Sequence, residues 1–300
     1  MAQPQTQPNA DQVQNVSLGI ASAVAVLIIW SAFFVFSRAG VQTTLTAGDI
    51  AALRFTVAGV ICLPFLWAWW PRHIPIWAAA LLSMTGPGMI YTMCMYLGLS
   101  EASVAYAGVF SNGALPIFTG ALVAYVSHQL PGRMQAAALA MIVIGAVLVG
   151  STGVGAGNGN VWLGIALFLT SAAIQSIYIF SLRHWKVKPR QALVLVNIPN
   201  ALLFLPIWAL FLPSGMAETP LSTILGQALF QGLGPGFLAV ILFSLAANHL
   251  GPNGTAGFSA AVPATAAVLA IPVLGEIPVP LEWAGIGLVS LGLVLLVRAR

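Results

Sequence analysis

The stretch GPGMIYTMCMYLGLSEASVAYAGVFSNGALP, residues 86–116, determines how the rest of the chain is interpreted. Glycine and proline interrupt an apolar run at residues 86–88, and Pro116 interrupts the next run 28 residues after Gly88. About 148 residues later the pattern returns, with Gly234-Pro235-Gly236 in one run and Pro263 in the next. An interrupted helix frees backbone N–H and C=O groups, which are tolerated in hydrocarbon only where protein covers them or they line a wet cavity. Interruptions at matching places in two halves of a membrane chain are typical of a transport binding site.

The composition predicts an integral membrane protein. The 300 residues are 59% hydrophobic and 5% charged, with a mean hydropathy of +0.97, whereas soluble domains carry about 25% charged residues. A spanning helix needs about 20 apolar residues, and ten runs meet this requirement: 18–37, 48–68, 75–98, 102–126, 134–151, 161–182, 191–212, 223–247, 254–274 and 281–298.

We therefore expect an all-α membrane protein with ten transmembrane helices in two inverted five-helix repeats around a central cavity. Five spans, an odd number, separate the two copies of the pattern, so the second copy must be inverted. The first repeat is expected at residues 18–151 and the second at residues 152–300, after a disordered cytoplasmic tail at residues 1–17. Small residues in the apolar runs 142–145 and 286–289 predict that the fifth and tenth spans are packing helices.

Positive charges predict the orientation, since cytoplasmic loops are enriched in Lys and Arg. Of the loop cations, only Arg38 falls on the side opposite the termini. Both termini are then cytoplasmic, in a bacterial inner membrane. This topology accounts for the net charge of +4, so no nucleic-acid partner is expected. The cluster 183–190 is either a topology determinant or an anionic-lipid site. A monomer surrounded by membrane lipid is the working expectation.

The motifs resemble those of a known family. Trp30-Ser31, Arg54-Phe55, a proline within a helix and Leu274-Gly275-Glu276 occur in an order similar to that of EamA-type members of the drug/metabolite transporter superfamily. The resemblance covers the chain from about residue 18 and is strongest to bacterial aromatic amino acid exporters. It implies ten helices, a central cavity between the halves and export of small metabolites. The second half has Gly275-Glu276 where the first has His128-Gln129, which argues against a symmetric pair of acidic residues.

Neutral polar and aromatic residues inside the apolar runs are the candidate substrate-binding groups. Amides and hydroxyls suit the charged end of a zwitterion, and aromatic rings suit a bulky apolar side chain. For each residue the alternative is an interhelical hydrogen bond, worth about 0.6 kcal/mol. The candidates are Trp30, Ser31, Tyr91, Tyr106, Ser111, Asn112, Gln175, Tyr178 and Ser244. The expected hinges are Gly86, Pro87, Gly88, Pro116, Gly234, Pro235, Gly236 and Pro263.

Few ionisable residues lie within the predicted spans. The carboxylates fall at helix ends, in loops or in the tail, which disfavours a proton relay and favours facilitated diffusion or exchange. Arg54 lies within a span, either as a counter-charge for a substrate carboxylate or as a side chain that snorkels to the interface.

The sequence gives no support for a catalytic, metal or cofactor site. The four histidines stand singly, without the spacing of metal ligands, and a hydrolase built from Ser244 and His249 has no third group to orient the histidine. The expected function is export of amino acids, aromatic or otherwise bulky and neutral, by alternating access. The alternatives are an exporter of other metabolites or cationic drugs, and outside transport a membrane enzyme or a receptor-like protein.

Overall fold

The computed structural model describes residues 15–153 and 160–299, so the expected tail lies almost wholly outside it. The described chain contains ten apolar helices long enough to cross a membrane, which confirms the ten predicted spans. They are α1 (Val16–Val41), α2 (Ala47–Trp69), α3 (Ile76–Glu101), α4 (Val104–Ser127), α5 (Arg133–Ser151), α6 (Val161–His184), α7 (Pro189–Phe211), α8 (Leu221–Gly251), α9 (Gly254–Leu274) and α10 (Pro280–Arg298). We call the face where α1 begins and α10 ends the terminal face, and the opposite face the distal face.

Local sequence fixes several of the helix ends. At the start of α2, Asp49 N donates to Thr46 Oγ1 at 3.1 Å and Thr46 N donates to Asp49 Oδ2 at 2.9 Å, a reciprocal capping box. Helices α4 and α9 each end at a residue in the left-handed conformation, His128 (φ 55°) and Gly275 (φ 69°). These matching ends belong to the fourth helix of each half.

Helices α5 and α10 show that the two halves are inverted. The start of α5 meets the end of α10, where Gln135 Nε2 donates to Ala299 O at 3.4 Å. At the opposite end Thr152 Oγ1 donates to Glu282 Oε1 at 2.9 Å. The fifth helix of each half therefore runs antiparallel to its counterpart, which confirms the inverted repeat. The pair is closely packed, as predicted, because a Cβ atom on Gly145 would lie 2.6 Å from Gly285 O.

The two glycine–proline interruptions differ in geometry. Residues 86–88 break α3 into Ile76–Met84 and Met89–Glu101, with Gly86 at φ +60°. Residues 234–236 instead begin a π-helical turn, Gly234–Leu238, and α8 continues through it. A π turn accommodates the missing N–H of Pro235 without ending the helix.

The proline interruptions lie at equivalent places. Pro116 and Pro263 are each the second residue of a helical segment, Leu115–Ser127 in α4 and Val262–Leu274 in α9. Gly108 lies in the π-helical turn before Pro116, and a Cβ atom on it would be 3.1 Å from the Cα atom of Pro263. The irregular parts of α4 and α9 thus pack against each other.

Helix α7 binds both glycine–proline interruptions through two amides one turn apart. Asn200 Oδ1 accepts from Met89 N at 2.7 Å, and Asn200 Nδ2 donates to Ser83 O at 2.7 Å, so Asn200 links the two segments of α3. Asn197 Nδ2 donates to Gly236 O at 3.2 Å in the π turn of α8. Groups freed by both interruptions are therefore covered by protein rather than by lipid.

Candidate functional site

Arg54 is a buried cation within the membrane-spanning part of α2. It follows Ala47 by seven residues, about 10 Å along the helix. The side chain is 3% exposed, and its Nε atom has no hydrogen-bond partner among the described residues. The guanidinium carbon lies 5.7 Å from the centroid of the Phe33 ring, and its charge acts on the hydroxyls of Tyr91 and Tyr96. The snorkelling interpretation is wrong, because neighbouring helices cover the guanidinium.

The protein compensates this charge only in part. Removing an ion from water costs several kcal/mol, whereas a desolvated cation–π contact returns about 2 kcal/mol. Within the described residues the one ion pair is formed by Arg38 and Glu276, 2.8 Å apart, and Arg54 has no carboxylate within 4.0 Å. An intramembrane cation in this state is a functional candidate.

A buried polar network adjoins Arg54 and joins the two halves. The Tyr96 hydroxyl donates to Gln231 Oε1 at 3.1 Å. Gln231 Nε2 donates to Ser37 Oγ at 3.0 Å and to Gln227 Oε1 at 3.2 Å. Sequence reasoning missed Gln227 and Gln231, and also Asn197 and Asn200. The criterion that favoured Asn112 and Gln175, an amide within an apolar run, applies equally to these four residues.

A second group of polar side chains lies near Arg54 and reaches α6. The Tyr91 hydroxyl is close to the Ser111 hydroxyl and is affected by the charge of Arg54, and Ser111 Oγ is 2.9 Å from Ser171 Oγ in α6. Gln175 follows Ser171 by one turn, and its buried Oε1 has no partner in the described chain. Asn112 follows Ser111 in the π turn of α4 and is half-buried. Of the predicted site residues, Tyr91 and Ser111 are thus brought next to each other, with Asn112 and Gln175 alongside.

Trp30, Ser31 and Ser244 lie where α1 meets the second half. The Trp30 and Phe243 rings have centroids 5.4 Å apart, and Ser244 follows Phe243 in α8. Ser31 is fully buried and donates to Val262 O in α9 at 3.5 Å, the limit of a hydrogen bond. These residues line the contact between α1, α8 and α9.

Two of the predicted site residues lie away from this region. The Tyr106 hydroxyl is 2.8 Å from Thr152 Oγ1 at the distal face. Tyr178 is buried in a cluster with Leu82 and Leu195, and its ring lies directly over Gly86. Both tyrosines occupy apolar runs, as the other candidates do. The position of each side chain along its helix and the neighbour that it faces depend on how the helices pack, which hydropathy does not predict.

Contacts of Arg38 connect several helices at the distal face. This residue lies in the last turn of α1, so its assignment to a loop was wrong. Its Nε donates to Glu276 Oε1, and its Nη1 donates to the carbonyls of Leu99 and Ser100. Glu276 Oε2 in turn accepts from Val104 N at 2.9 Å. The ion pair thus ties α1 and the α9–α10 connection to the junction of α3 and α4.

Two cavities lie on either side of the region where the central substrate site is predicted. One of about 310 Å³ lies at the distal face against the ion pair and is lined by Arg38, Glu276, Glu101, Glu282 and Tyr106, among others. The other, about 300 Å³, lies between the terminal halves of α4 and α6, near Thr119, Phe180 and Arg183. The central cavity expected between the halves stays a prediction.

The other carboxylates near the distal face also have partners. Asp49 accepts from Trp208 Nε1 through Oδ1 and from the backbone N–H groups of Thr46 and Gly215 through Oδ2, each at 2.9 Å. Glu101 accepts from Asn160 N at 2.7 Å, and Glu282 accepts from Thr152. These carboxylates hold helix ends and connections in place, as their predicted positions at helix ends suggest.

Comparison with known proteins agrees with this architecture. The model of the EamA-like transporter family matches twice, over residues 17–151 and 162–298. The uncharacterized transporter YwfM of Bacillus subtilis (strain 168) is 26% identical over 286 residues, which cover 92% of this chain and 94% of YwfM. One solved crystal structure superposes with a TM-score of 0.64 at 18% identity, covering 93% of this chain and 96% of that one, and shows the same fold. With its two repeats matched over nearly their whole length, this chain belongs to the EamA-like transporter family, a family of multi-pass membrane transporters and not of enzymes.

Proposed function

We propose that this protein exports amino acids with bulky neutral side chains, above all aromatic ones, from bacterial cells. The observation that supports this best is the set of polar side chains Tyr91, Ser111 and Ser171 that lies near the buried charge of Arg54. It joins α2, α3 and α4 of the first half to α6 of the second, so it would change when the halves move. Hydroxyls and amides there would orient the charged end of the substrate, while rings such as Trp30 and Phe33 would cover its side chain.

In this proposal the halves rock around a central site. The expected hinges are residues 86–88 and 234–236 together with Pro116 and Pro263. Both termini lie in the cytoplasm, which makes the distal face the outer face of the inner membrane. The protein works as a monomer.

We further propose that export is facilitated diffusion or exchange. Asp49, Glu101, Glu276 and Glu282 are held at the distal face by hydrogen bonds or an ion pair. A proton relay needs carboxylates or histidines along the pathway within the membrane, and none of these four groups is placed there.

Transport by the purified protein in liposomes tests this function. We expect labelled L-phenylalanine to accumulate in vesicles preloaded with unlabelled L-phenylalanine and no ion gradient. Strict dependence on a proton gradient would contradict facilitation, and transport of cationic dyes without amino acids would favour the drug-exporter alternative. Chemical conversion of the compound would point to an enzyme.

Asn112 provides a residue-level test of the same site. Asn112→Ala removes an amide that would bind the substrate, and the loss of one hydrogen bond of about 1 kcal/mol corresponds to about fivefold slower transport. Expression should be unchanged. Gln129→Ala, which removes an exposed amide from the α4–α5 connection at the terminal face, is the matched control. Equal rates in both variants would remove Asn112 from the site.

A further inference from the structure

We propose that Arg54 binds the carboxylate group of the transported molecule and that this contact excludes substrates without one. The proposal rests on the function proposed above and names the chemical group that its site selects. It starts from a buried guanidinium whose Nε atom lacks a partner among the described residues.

No described carboxylate is placed to neutralise Arg54. Asp49 lies five residues earlier in α2, but both its oxygens accept from Trp208, Thr46 and Gly215. Glu276 is paired with Arg38. The other described acids also lie at the distal face, where Glu101 and Glu282 hold the ends of helices and Glu218 is exposed. A bound anion would therefore supply the counter-charge that no described carboxylate provides within 4.0 Å of Arg54.

The surroundings of Arg54 suit a singly charged group on an apolar body. A guanidinium presents a planar fork of N–H donors that matches a carboxylate. The guanidinium carbon lies 5.7 Å from the centroid of the Phe33 ring, the Tyr96 hydroxyl lies beside the guanidinium, and the Tyr91 hydroxyl is affected by its charge. The other cation toward the distal face, Arg38, is already occupied by Glu276. A phosphate carries a second negative charge, and among the described residues at this site only Arg54 is a cation without an acidic partner. A singly charged carboxylate therefore fits the site better.

A set of phenylalanine analogues separates the carboxylate from the amine. The compounds are L-phenylalanine, 3-phenylpropionate, phenethylamine and L-phenylalaninamide, with sodium chloride alone as the inorganic anion. Each is measured twice on the full-length protein, by the shift in apparent melting temperature in detergent and by competition with labelled L-phenylalanine transport in liposomes. We expect stabilisation and competition by the two carboxylates, and neither effect from the amine, the amide or chloride.

Variants at position 54 assign the selectivity to this residue. Arg54→Gln should weaken binding of both carboxylates by about 30-fold or more, because the bound charge loses a buried partner. Arg54→Lys keeps the positive charge but lacks the planar fork of N–H donors. Its affinity for the carboxylates should lie between that of the unmodified protein and that of Arg54→Gln. Arg72→Gln, which neutralises an exposed arginine at the terminal face, is the matched control and should behave like the unmodified protein.

The outcomes distinguish this proposal from the function on which it rests. Transport of L-phenylalanine with equal competition by phenethylamine would overturn the role of Arg54 and leave amino-acid export standing. Carboxylate-specific stabilisation without transport of any amino acid would support the site and overturn the proposed function. Equal stabilisation by chloride would show an inorganic anion site and overturn the assignment to substrate. If Arg54→Gln does not fold, Arg54→Lys still assigns the selectivity to this residue, and equal competition by phenethylamine on the unmodified protein still overturns the proposal.

Discussion

At the scale of single residues, the contact between Gly86 and Tyr178 holds the interruption of α3 in place. Gly86 has φ +60°, a conformation that side chains disfavour by roughly 1–2 kcal/mol. A Cβ atom there would lie 2.3 Å from Tyr178 Cγ, far inside van der Waals contact. The tyrosine, predicted as a substrate-binding group, thus packs on the backbone at the point where α3 changes direction.

Gly86→Ala should therefore destabilise the protein by about 2 kcal/mol or more, since strain and steric overlap add. The measurement is the apparent melting temperature in detergent. Gly226→Ala is the control, because a Cβ atom on that helical glycine meets nothing within 4 Å. In a Tyr178→Ala background Gly86→Ala should cost less than it does in the unmodified protein, because the ring that it overlaps is gone. An unchanged melting temperature in the single variant would contradict this account.

The residue scale is also where the sequence predicted least. Polarity within an apolar run selected Tyr91, Ser111 and Gln175, which lie in the same polar region near Arg54, and their role in binding stays a prediction. The same criterion selected Tyr106 and Tyr178, which lie elsewhere, because hydropathy does not specify the direction in which a side chain points. Burial of Arg54 depends on neighbouring helices and could not be predicted from the sequence of α2 alone.

At the scale of elements, the ten spans were predictable because a bilayer demands about 20 apolar residues for each crossing. Proline predicted the interruptions because it lacks a backbone N–H and its ring clashes with the preceding turn of a helix. Their geometry was not predictable: residues 86–88 break α3, while residues 234–236 form a π turn within α8. In both cases an amide of α7 binds the freed backbone groups.

Asn200→Leu tests this role of α7. It keeps the volume but leaves the Met89 N–H and the Ser83 carbonyl without their side-chain partner, at a cost of about 1–3 kcal/mol for a buried unsatisfied group. We expect a lower melting temperature and slower transport. Asn197→Leu is the comparison and should cost less, because the Asn197 Oδ1 atom already lacks a partner among the described residues. Equal losses would show that the two amides are interchangeable.

At the scale of the whole molecule, the Arg38–Glu276 pair connects the two halves where they meet at the distal face. It closes one side of the 310 Å³ cavity there and reaches the α3–α4 junction through Leu99 and Val104. The alternating access that we propose would require this connection to break in part of the cycle. We therefore expect this face to open when the ion pair is weakened.

Glu276→Gln should increase access to the distal cavity several-fold. The reporter is a cysteine at Ala105, which lines that cavity and is 5% exposed, in a protein whose Cys62 and Cys94 are replaced by alanine. Labelling of intact cells by a membrane-impermeant thiol reagent gives the rate. Glu218→Gln, on an exposed carboxylate of the same face, is the control. Identical rates in the two variants would show that the ion pair does not limit opening.

The crossing of α5 and α10 limits how the halves can move. Gly145 and Gly285 bring the two backbones so close that neither glycine has room for a methyl group. We infer from this close contact that the two helices turn about it during transport and do not separate. A covalent cross-link placed there should then leave turnover intact, while one across the distal ion pair should stop it.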